Sequence, residues 1–437
     1  MNGDIQTRDK HFTLKGWHIA LATLIMLVGL ISLYLVVRKN KVEGRVQALR
    51  AAGYPTTFAE LAEYRKLPEG AENAAEVYTR AFAAFVAPVE EANVPLLGKA
   101  KLPDRGTPLS EPMAKAISTC LASNQQCLAL LHEAAGIEHC HYDWDYRQFM
   151  SQAQDWRHCA QLLKLAAIYH AHRGGTDAAL ACMNDGLQLS DSLGREPALI
   201  SHLVRIAGIG VALSGLEYSL SLTAFTDQQL REIGEALART GGTLDLTEVL
   251  VTERCFMIEA CRDPSRLGPS GQSIPVRMFP GMRGTWLADT LDYMEDCIEA
   301  AKLPPMERLK RFRQIRDEIQ QLSFLHVMIK MTGPAMTRVA ELDLRARAHL
   351  DLARTALAIE RYRLATGKVP EQLEELVPQY LEQVPVDPFD GRPIRYRRTD
   401  PGYLLYSVDT DGQDHGGRER SDAQQGEPYD WCFIVTR

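Results

Sequence analysis

Apolar residues run unbroken near the start of this chain and then settle into a helical rhythm for most of its length. From Gly16 to Val37 there is no Asp, Glu, Lys or Arg, and Ile19 to Val37 is mostly Leu, Ile, Val, Ala and Met. About 22 uncharged residues at 1.5 Å each span roughly 30 Å, the thickness of a bilayer's hydrocarbon core. The pattern predicts a single transmembrane helix over 16–37, behind an N-terminal tail, 1–15, that contacts membrane lipid through Gly16–Val37. Trp17 and Tyr34 lie near its ends, where amphipathic rings favour an interface. The run is longer than a signal-peptide core and lacks a small-x-small cleavage pattern. Arg38, Lys39, Lys41 and Arg45 flank one side and Arg8, Lys10 and Lys15 the other, so charge slightly favours a cytoplasmic body and permits the opposite.

Residues 38–333 predict a mainly helical body. From Glu43 to about Lys330 the chain is rich in Ala, Leu, Glu, Gln and Arg, with few alternating β-branched runs. Breaks fall at Gly53-Tyr54-Pro55, Leu67 to Gly70, Pro95 to Pro112, Gly136, Arg173-Gly174-Gly175, Gly194 to Pro197 and Gly241-Gly242. Thr107 to Glu111 and Thr226-Asp227-Gln228-Gln229 read as helix starts. A Pro/Gly-rich loop is expected over 262–285.

The last segment, 334–437, changes pattern. Ala335 to Ala365 carries an apolar stripe of Val339, Leu342, Ala346, Leu350, Ala353, Leu357 and Ile359, stopped by Gly367 in a capping position. A short helix, Glu371 to Val377, and a turn-rich stretch, Val384 to Gly391, follow. Strand-like runs then occupy Ile394 to Arg397, Tyr403 to Val408 and Tyr429 to Val435, the first two hinged by Asp400-Pro401-Gly402. The expected fold class is therefore mainly α with a small α+β C-terminal domain.

Composition narrows the function classes. The 437 residues are 46% hydrophobic and 24% charged, and the net charge is -7. That balance, with no basic stripe interleaved with aromatics, disfavours nucleic-acid binding. The nine cysteines include no Cys-x-x-Cys pair, which argues against a zinc ribbon or a thioredoxin-like motif. They read as buried free thiols, with Cys255 and Cys261 the pair favoured by an oxidising compartment.

No catalytic motif emerges. Glu138-His139-Cys140-His141-Tyr142-Asp143-Trp144-Asp145, with His158, Cys159, His170 and His172, has zinc-ligand residue types but matches no metal signature. Gly208-Ile209-Gly210 lies in an apolar run and reads as close helix packing, and Asp292 with Glu295-Asp296 as a solvated helix face.

Two resemblances add to this reading. Ala166, Tyr169, Gly174, Ala179, Met183, Gly186 and Leu187 fall near the small and aromatic positions of a unit that resembles a tetratricopeptide repeat. No clean neighbours recur at that period, so an irregular array of helix pairs is expected. At the C-terminus, Tyr362-Arg363-Leu364, Gly367-Lys368-Val369-Pro370, Tyr380-Leu381, Pro385, Asp387-Pro388, Gly391, Tyr396, Ser407, Asp411-Gly412-Gln413 and Gly416-Gly417 resemble the C-terminal domain of the major pseudopilin of type II secretion systems. That resemblance covers about the last 100 residues. It implies a long helix packed on a small antiparallel sheet, followed by a loop that holds calcium through Asp411 and Asp422.

The residues themselves suit such an ion. Calcium takes six to eight hard oxygens, and Ser407, Asp409, Asp411, Asp414 and Asp422 supply oxygens along a glycine-rich loop. The loop is not an EF-hand, because Arg420 stands where that motif needs its bidentate Glu. A solvated acidic hairpin without metal is the alternative. The chain also departs from pseudopilins. In His11-Phe12-Thr13-Leu14-Lys15-Gly16 the family's cleavage glycine is His11 and its assembly glutamate is Gly16, and a long helical body precedes the similar domain. The expectation is a membrane-anchored structural or interaction protein of the cell envelope. It would be secretion-related, with an extracytoplasmic body, a calcium-stabilised end and envelope protein partners. An envelope hydrolase with a site in the helical domain is the alternative.

Overall fold

The computed structural model describes residues 16–142, 146–196, 199–263, 283–323 and 326–437. The fold is mainly helical and ends in a small antiparallel sheet. In chain order come α1 (Gly16–Ala51), α2 (Phe58–Tyr64), α3 (Ala74–Ala83), α4 (Glu111–Ser123), α5 (Gln125–Ala135), α6 (Tyr146–His172) and α7 (Thr176–Asp191). Then follow α8 (Leu199–Leu222), α9 (Asp227–Gly242), α10 (Leu246–Arg262), α11 (Arg283–Ala301), α12 (Pro305–Gln321) and α13 (Val327–Thr366). Strands β1 (Arg395–Arg398), β2 (Tyr403–Ser407) and β3 (Trp431–Val435) close the chain. Most of the loop expected over 262–285 lies outside the described residues.

Helix α1 has two unlike halves. Leu24, Ile25, Met26, Leu27, Val28 and Leu30 are 53–62% exposed, so this stretch is apolar on every face and none of it is turned onto protein. Further along, Val42 and Val46 are buried against Ile258 and Cys261 of α10 and Trp286, Leu287 and Leu291 of α11. Arg45 secures that end by pairing with Asp292 at 2.5 Å and Glu295 at 3.0 Å on α11. Among the described residues helix α8 is long and apolar enough to cross a membrane, but half of its apolar window is buried inside the fold. Its Gly208 lies against α6 so closely that a Cβ would sit 2.2 Å from the Trp156 ring, and it carries the buried charges Arg205 and Glu217. Helix α8 is a core helix.

The helices start where local chemistry stops the chain extending. Thr226 caps α9 in a reciprocal box, its hydroxyl accepting from Gln229 N and the Gln229 side chain accepting from Thr226 N. Asp245 accepts from Thr247 N and Glu248 N to open α10. Helices α6 and α7 form a helix–turn–helix pair in which Ala166, Ala179, Met183 and Leu187 are buried.

Helix α13 runs further toward its N-terminus than the stripe from Ala335 indicates. It begins at Val327 and passes through Pro334, which sits in its second turn and forfeits one backbone bond to Lys330. It ends at Gly367, left-handed at φ 77°, whose N–H donates to Arg363 O. The expected domain boundary at 333/334 therefore falls inside a continuous helix. One hydrophobic core joins Leu180, Leu213, Leu237, Leu357, Tyr403 and Phe433, so the C-terminal sheet shares its core with α7, α8, α9 and α13.

Strand β2 is central, antiparallel to β1 with Arg395 opposite Tyr406 and to β3 with Tyr403 opposite Val435. All five β2 residues are buried. The Tyr403 hydroxyl donates to Ala356 O and Glu360 of α13. The β1–β2 turn uses Gly402 at φ 89°, where a Cβ would lie 1.8 Å from Val435 O.

Candidate functional site

The acidic loop after β2 is built on two buried carboxylates. Asp387 is fully buried in the turn before β1 and accepts from Phe389 N, Val408 N and the Ser407 hydroxyl at 2.9–3.0 Å. Arg395 completes its shell at 3.0 Å. This collar fixes the exit of β2. The chain then enters a tight turn at Asp409, whose φ of 59° is left-handed, and leaves it at Gly412. Such a conformation is costly for an aspartate and is held here by Arg345 of α13, which grips both carboxylate oxygens at 2.9 and 2.7 Å. Arg313 of α12 donates to Thr410 O in the same turn.

The five expected metal ligands meet different fates. Ser407 and Asp409 already serve protein partners. The Ser407 hydroxyl donates to Asp387, and the Asp409 carboxylate is consumed by a guanidinium in the core. Asp411 accepts from Gln413 N and lies 2.8 Å from His415 Nε2. Asp414 accepts from the Tyr406 hydroxyl and Gly416 N. Asp422 is exposed, with the Arg418 guanidinium donating to its backbone carbonyl at 3.3 Å. Among the described residues no group of three or more His, Cys, Asp or Glu side chains is arranged to hold a metal ion. The carboxylate that gathers the glycine-rich stretch is instead Asp430, which accepts from His415 N and Gly417 N.

The other candidates also resolve. His141 lies 3.5 Å from Glu196 and its backbone N–H donates to Asn73, so it belongs to a structural contact. Asp143, Trp144 and Asp145 lie outside the described residues. Cys255 and Cys261 are both free and buried within α10. The nearest thiols are Cys127 and Cys159, whose sulfurs are 3.8 Å apart between α5 and α6.

Beside the loop, α6, α8, α13 and β3 enclose a cleft of about 660 Å³. Its floor is the α8 face of Ile206, Ala207, Gly210 and Val211, opposed by Leu342 and Ala346 of α13. At one end Lys164 of α6 donates to the Ser214 hydroxyl at 2.8 Å and stands over the Tyr218 ring. Burial pulls the Lys164 ammonium down to about 8, against the attraction of Glu217. Glu217 is buried, pairs with Arg105 at 3.0 Å and accepts from Ile434 N at 2.7 Å. Burial outweighs these partners and pushes Glu217 up to about 7. Arg105 also binds Glu419 at 2.8 Å, which ties the acidic loop to the helical body. Across the cleft, His349 makes edge contacts with Trp431 and Phe433, and burial holds its imidazole neutral, down to about 4.

Sequence reasoning did not find this cleft. Its polar members come from α6, α8, α13 and the strand region, and no spacing links them. The available signals were local ones: Glu217 alone in the apolar run of α8, and Lys164 amid Leu and Ala. No protein-family model, no curated protein and no solved structure matches the chain.

Proposed function

We propose that this chain is a membrane-tethered structural and interaction protein of the cell envelope, in which α1 is the tether and the helical body with its C-terminal sheet is the presented part. The observation that carries this reading is the division of α1. Leu24, Ile25, Met26, Leu27, Val28 and Leu30 turn their side chains outward on all faces, while Val42, Arg45 and Val46 of the same helix are docked on α10 and α11. A helix apolar all round is stable only where something other than water surrounds it. Rigid continuation into the docked half would hold the body at a fixed stance on the bilayer.

Calcium enters this reading in a narrower form than the residue pattern suggests. With Ser407 and Asp409 committed to protein partners, Asp411, Asp414 and Asp422, with loop carbonyls, are the residues that would hold the ion. It would supply positive charge to an exposed acidic loop and so favour one loop conformation. The resemblance to the pseudopilin C-terminal domain supports that role, together with a secretion-related setting and an extracytoplasmic body.

The hydrolase alternative rests on the Lys164–Ser214 hydrogen bond, since a lysine beside a serine hydroxyl is the arrangement of a Ser–Lys nucleophile. Ser214 lies in the middle of α8, however, where backbone N–H groups are spent on the helix and cannot form an oxyanion hole. Tethering is therefore the preferred reading. Flotation of the purified chain with phosphatidylcholine vesicles tests it. The chain should rise with the vesicles, and the variant Leu24→Arg/Leu27→Arg/Leu30→Arg should stay at the bottom. Equal behaviour of the two proteins would refute the tether.

A further inference from the structure

The cleft between α8 and α13 has the composition of a site for a small amphipathic molecule. Its 660 Å³ lies within the range of about 300–1,000 Å³ usual for small-molecule sites, and such sites pair an apolar lining with a few placed polar groups. From Leu203 to Glu217, both at its wall, α8 runs for about 21 Å, so the space is long. Gly210 opens it, because a Cβ there would meet nothing within 4 Å, and Ala207 beside it is exposed.

One polar group in the lining lacks the partner that a folded interior normally supplies: Trp431 Nε1 is buried without an acceptor, and His349, 7% exposed, packs edge-on against the same ring. Both residues line the cleft. The charges are just as uneven. Arg345 is matched by Asp409, and Glu217 and Glu419 share Arg105. Among the described residues two cations of the lining, half-buried Lys164 and exposed Arg420, have no carboxylate within ion-pair distance. Lys164 holds only the neutral Ser214 hydroxyl, and Arg420 lies over the Tyr429 ring. An anion beside Lys164 would replace hydration that burial has removed, consistent with the lowered affinity of this ammonium for its proton.

We propose that this cleft binds an aliphatic chain ending in a single anionic group, with the chain lying over Gly210 between α8 and α13 and the anion at Lys164. The inference does not depend on the tether, since every residue it uses belongs to the folded body. A carboxylate and a phosphate monoester would satisfy the same lysine, so fatty acids and single-chain phosphates are both covered by the chemistry.

The test is calorimetric titration of the full chain, held in phosphatidylcholine nanodiscs, with dodecanoate, dodecyl phosphate, dodecanol and dodecyltrimethylammonium. Heats from the Gly210→Leu variant in identical discs are subtracted as the bilayer background. Leucine is a better helix former than glycine, so this variant fills the cleft without unfolding α8. Saturable binding of dodecanoate or dodecyl phosphate is expected, with dodecanol weaker by about tenfold, the equivalent of roughly 1.4 kcal/mol. Binding of one anion alone names its source as carboxylate or phosphate. Lys164→Gln should bring the anions to the affinity of dodecanol, and unchanged melting of that variant would show that the fold is intact. The proposal is overturned if neither anion binds above the Gly210→Leu background, or if the ammonium chain binds as well as the anions.

Discussion

Arg345 on α13 and Asp409 in the turn after β2 are joined by two parallel hydrogen bonds, Nε to Oδ1 at 2.9 Å and Nη2 to Oδ2 at 2.7 Å, and both side chains are more than nine-tenths buried. The pair holds a left-handed aspartate that would otherwise relax, and the Arg345 guanidinium also lies 5.0 Å from the Trp431 ring centre. One residue of a helix thus fixes both the acidic loop and the strand that walls the cleft.

Arg345→Met is expected to destabilise the protein by about 3–5 kcal/mol, because it strands the Asp409 carboxylate in the core. The double variant Arg345→Met/Asp409→Asn should recover part of that loss, since both charges are then gone and asparagine tolerates the left-handed φ of this position. Urea unfolding of the two proteins measures the difference. A double variant no more stable than the single one would show that the pair acts by positioning the turn and not by neutralising charge.

The reach of sequence reading follows from these contacts. Helix α13 and its stop were legible because an apolar stripe and Gly367 are local signals. Its first eight residues were not, because Pro334 reads as a breaker, whereas the helix continues through it. The buried shares of the acidic loop were also hidden. Asp409 and Asp411 look alike in the sequence, and only the packing of α13 against the loop separates a core ion pair from an exposed carboxylate. Asp430 was invisible for the converse reason, since its partners are backbone N–H groups at His415 and Gly417.

Calcium should raise the melting temperature of the full chain if Asp411, Asp414 and Asp422 hold it. At a hundredfold excess over the dissociation constant the gain is about 2.7 kcal/mol. Asp411→Asn/Asp422→Asn should remove the calcium response, whereas Arg345→Met should lower the melting temperature with and without calcium. Superimposable melting curves in calcium and in chelator would reduce the loop to a solvated acidic segment.

Once local opening admits an oxidant, Cys127 and Cys159 should pair with each other rather than with the other thiols. Their sulfurs already touch at 3.8 Å, and both side chains are fully buried. Diamide would take two electrons and two protons from the pair to form a disulfide between α5 and α6. Closing a loop across the 32 positions that separate them would stabilise the fold by roughly 3–4 kcal/mol if no strain opposes it. Peptide mapping after non-reducing digestion identifies the bridge, and a bridge elsewhere, such as Cys255–Cys261, would contradict this packing.

Acid and base should act on the cleft in opposite senses. His349 is held at about 4, below its ordinary 6.5, so its share of stability is present above 6.5 and is lost as pH falls toward 4. Glu217 is held at about 7, above its ordinary 4.5, so its share is present below 4.5 and is lost as pH rises through 7. Between pH 4.5 and 6.5 these two slopes oppose each other. In His349→Phe stability should fall with rising pH across that window. In Glu217→Gln it should climb, each by at most about 1.4 kcal/mol per pH unit. Denaturant midpoints at half-unit steps of pH would reveal both slopes, and parallel profiles for the two variants would contradict the assignment.

The tether is tested most directly in cells. Membranes carrying the full chain are washed with alkaline carbonate, and the pellet and supernatant are compared with those from cells making Leu24→Arg/Leu27→Arg/Leu30→Arg. The account predicts that the unaltered chain stays in the pellet until detergent is added and that the variant is released by carbonate alone. Release of the unaltered chain by carbonate would contradict it, and the exposed apolar half of α1 would then have to be covered by protein.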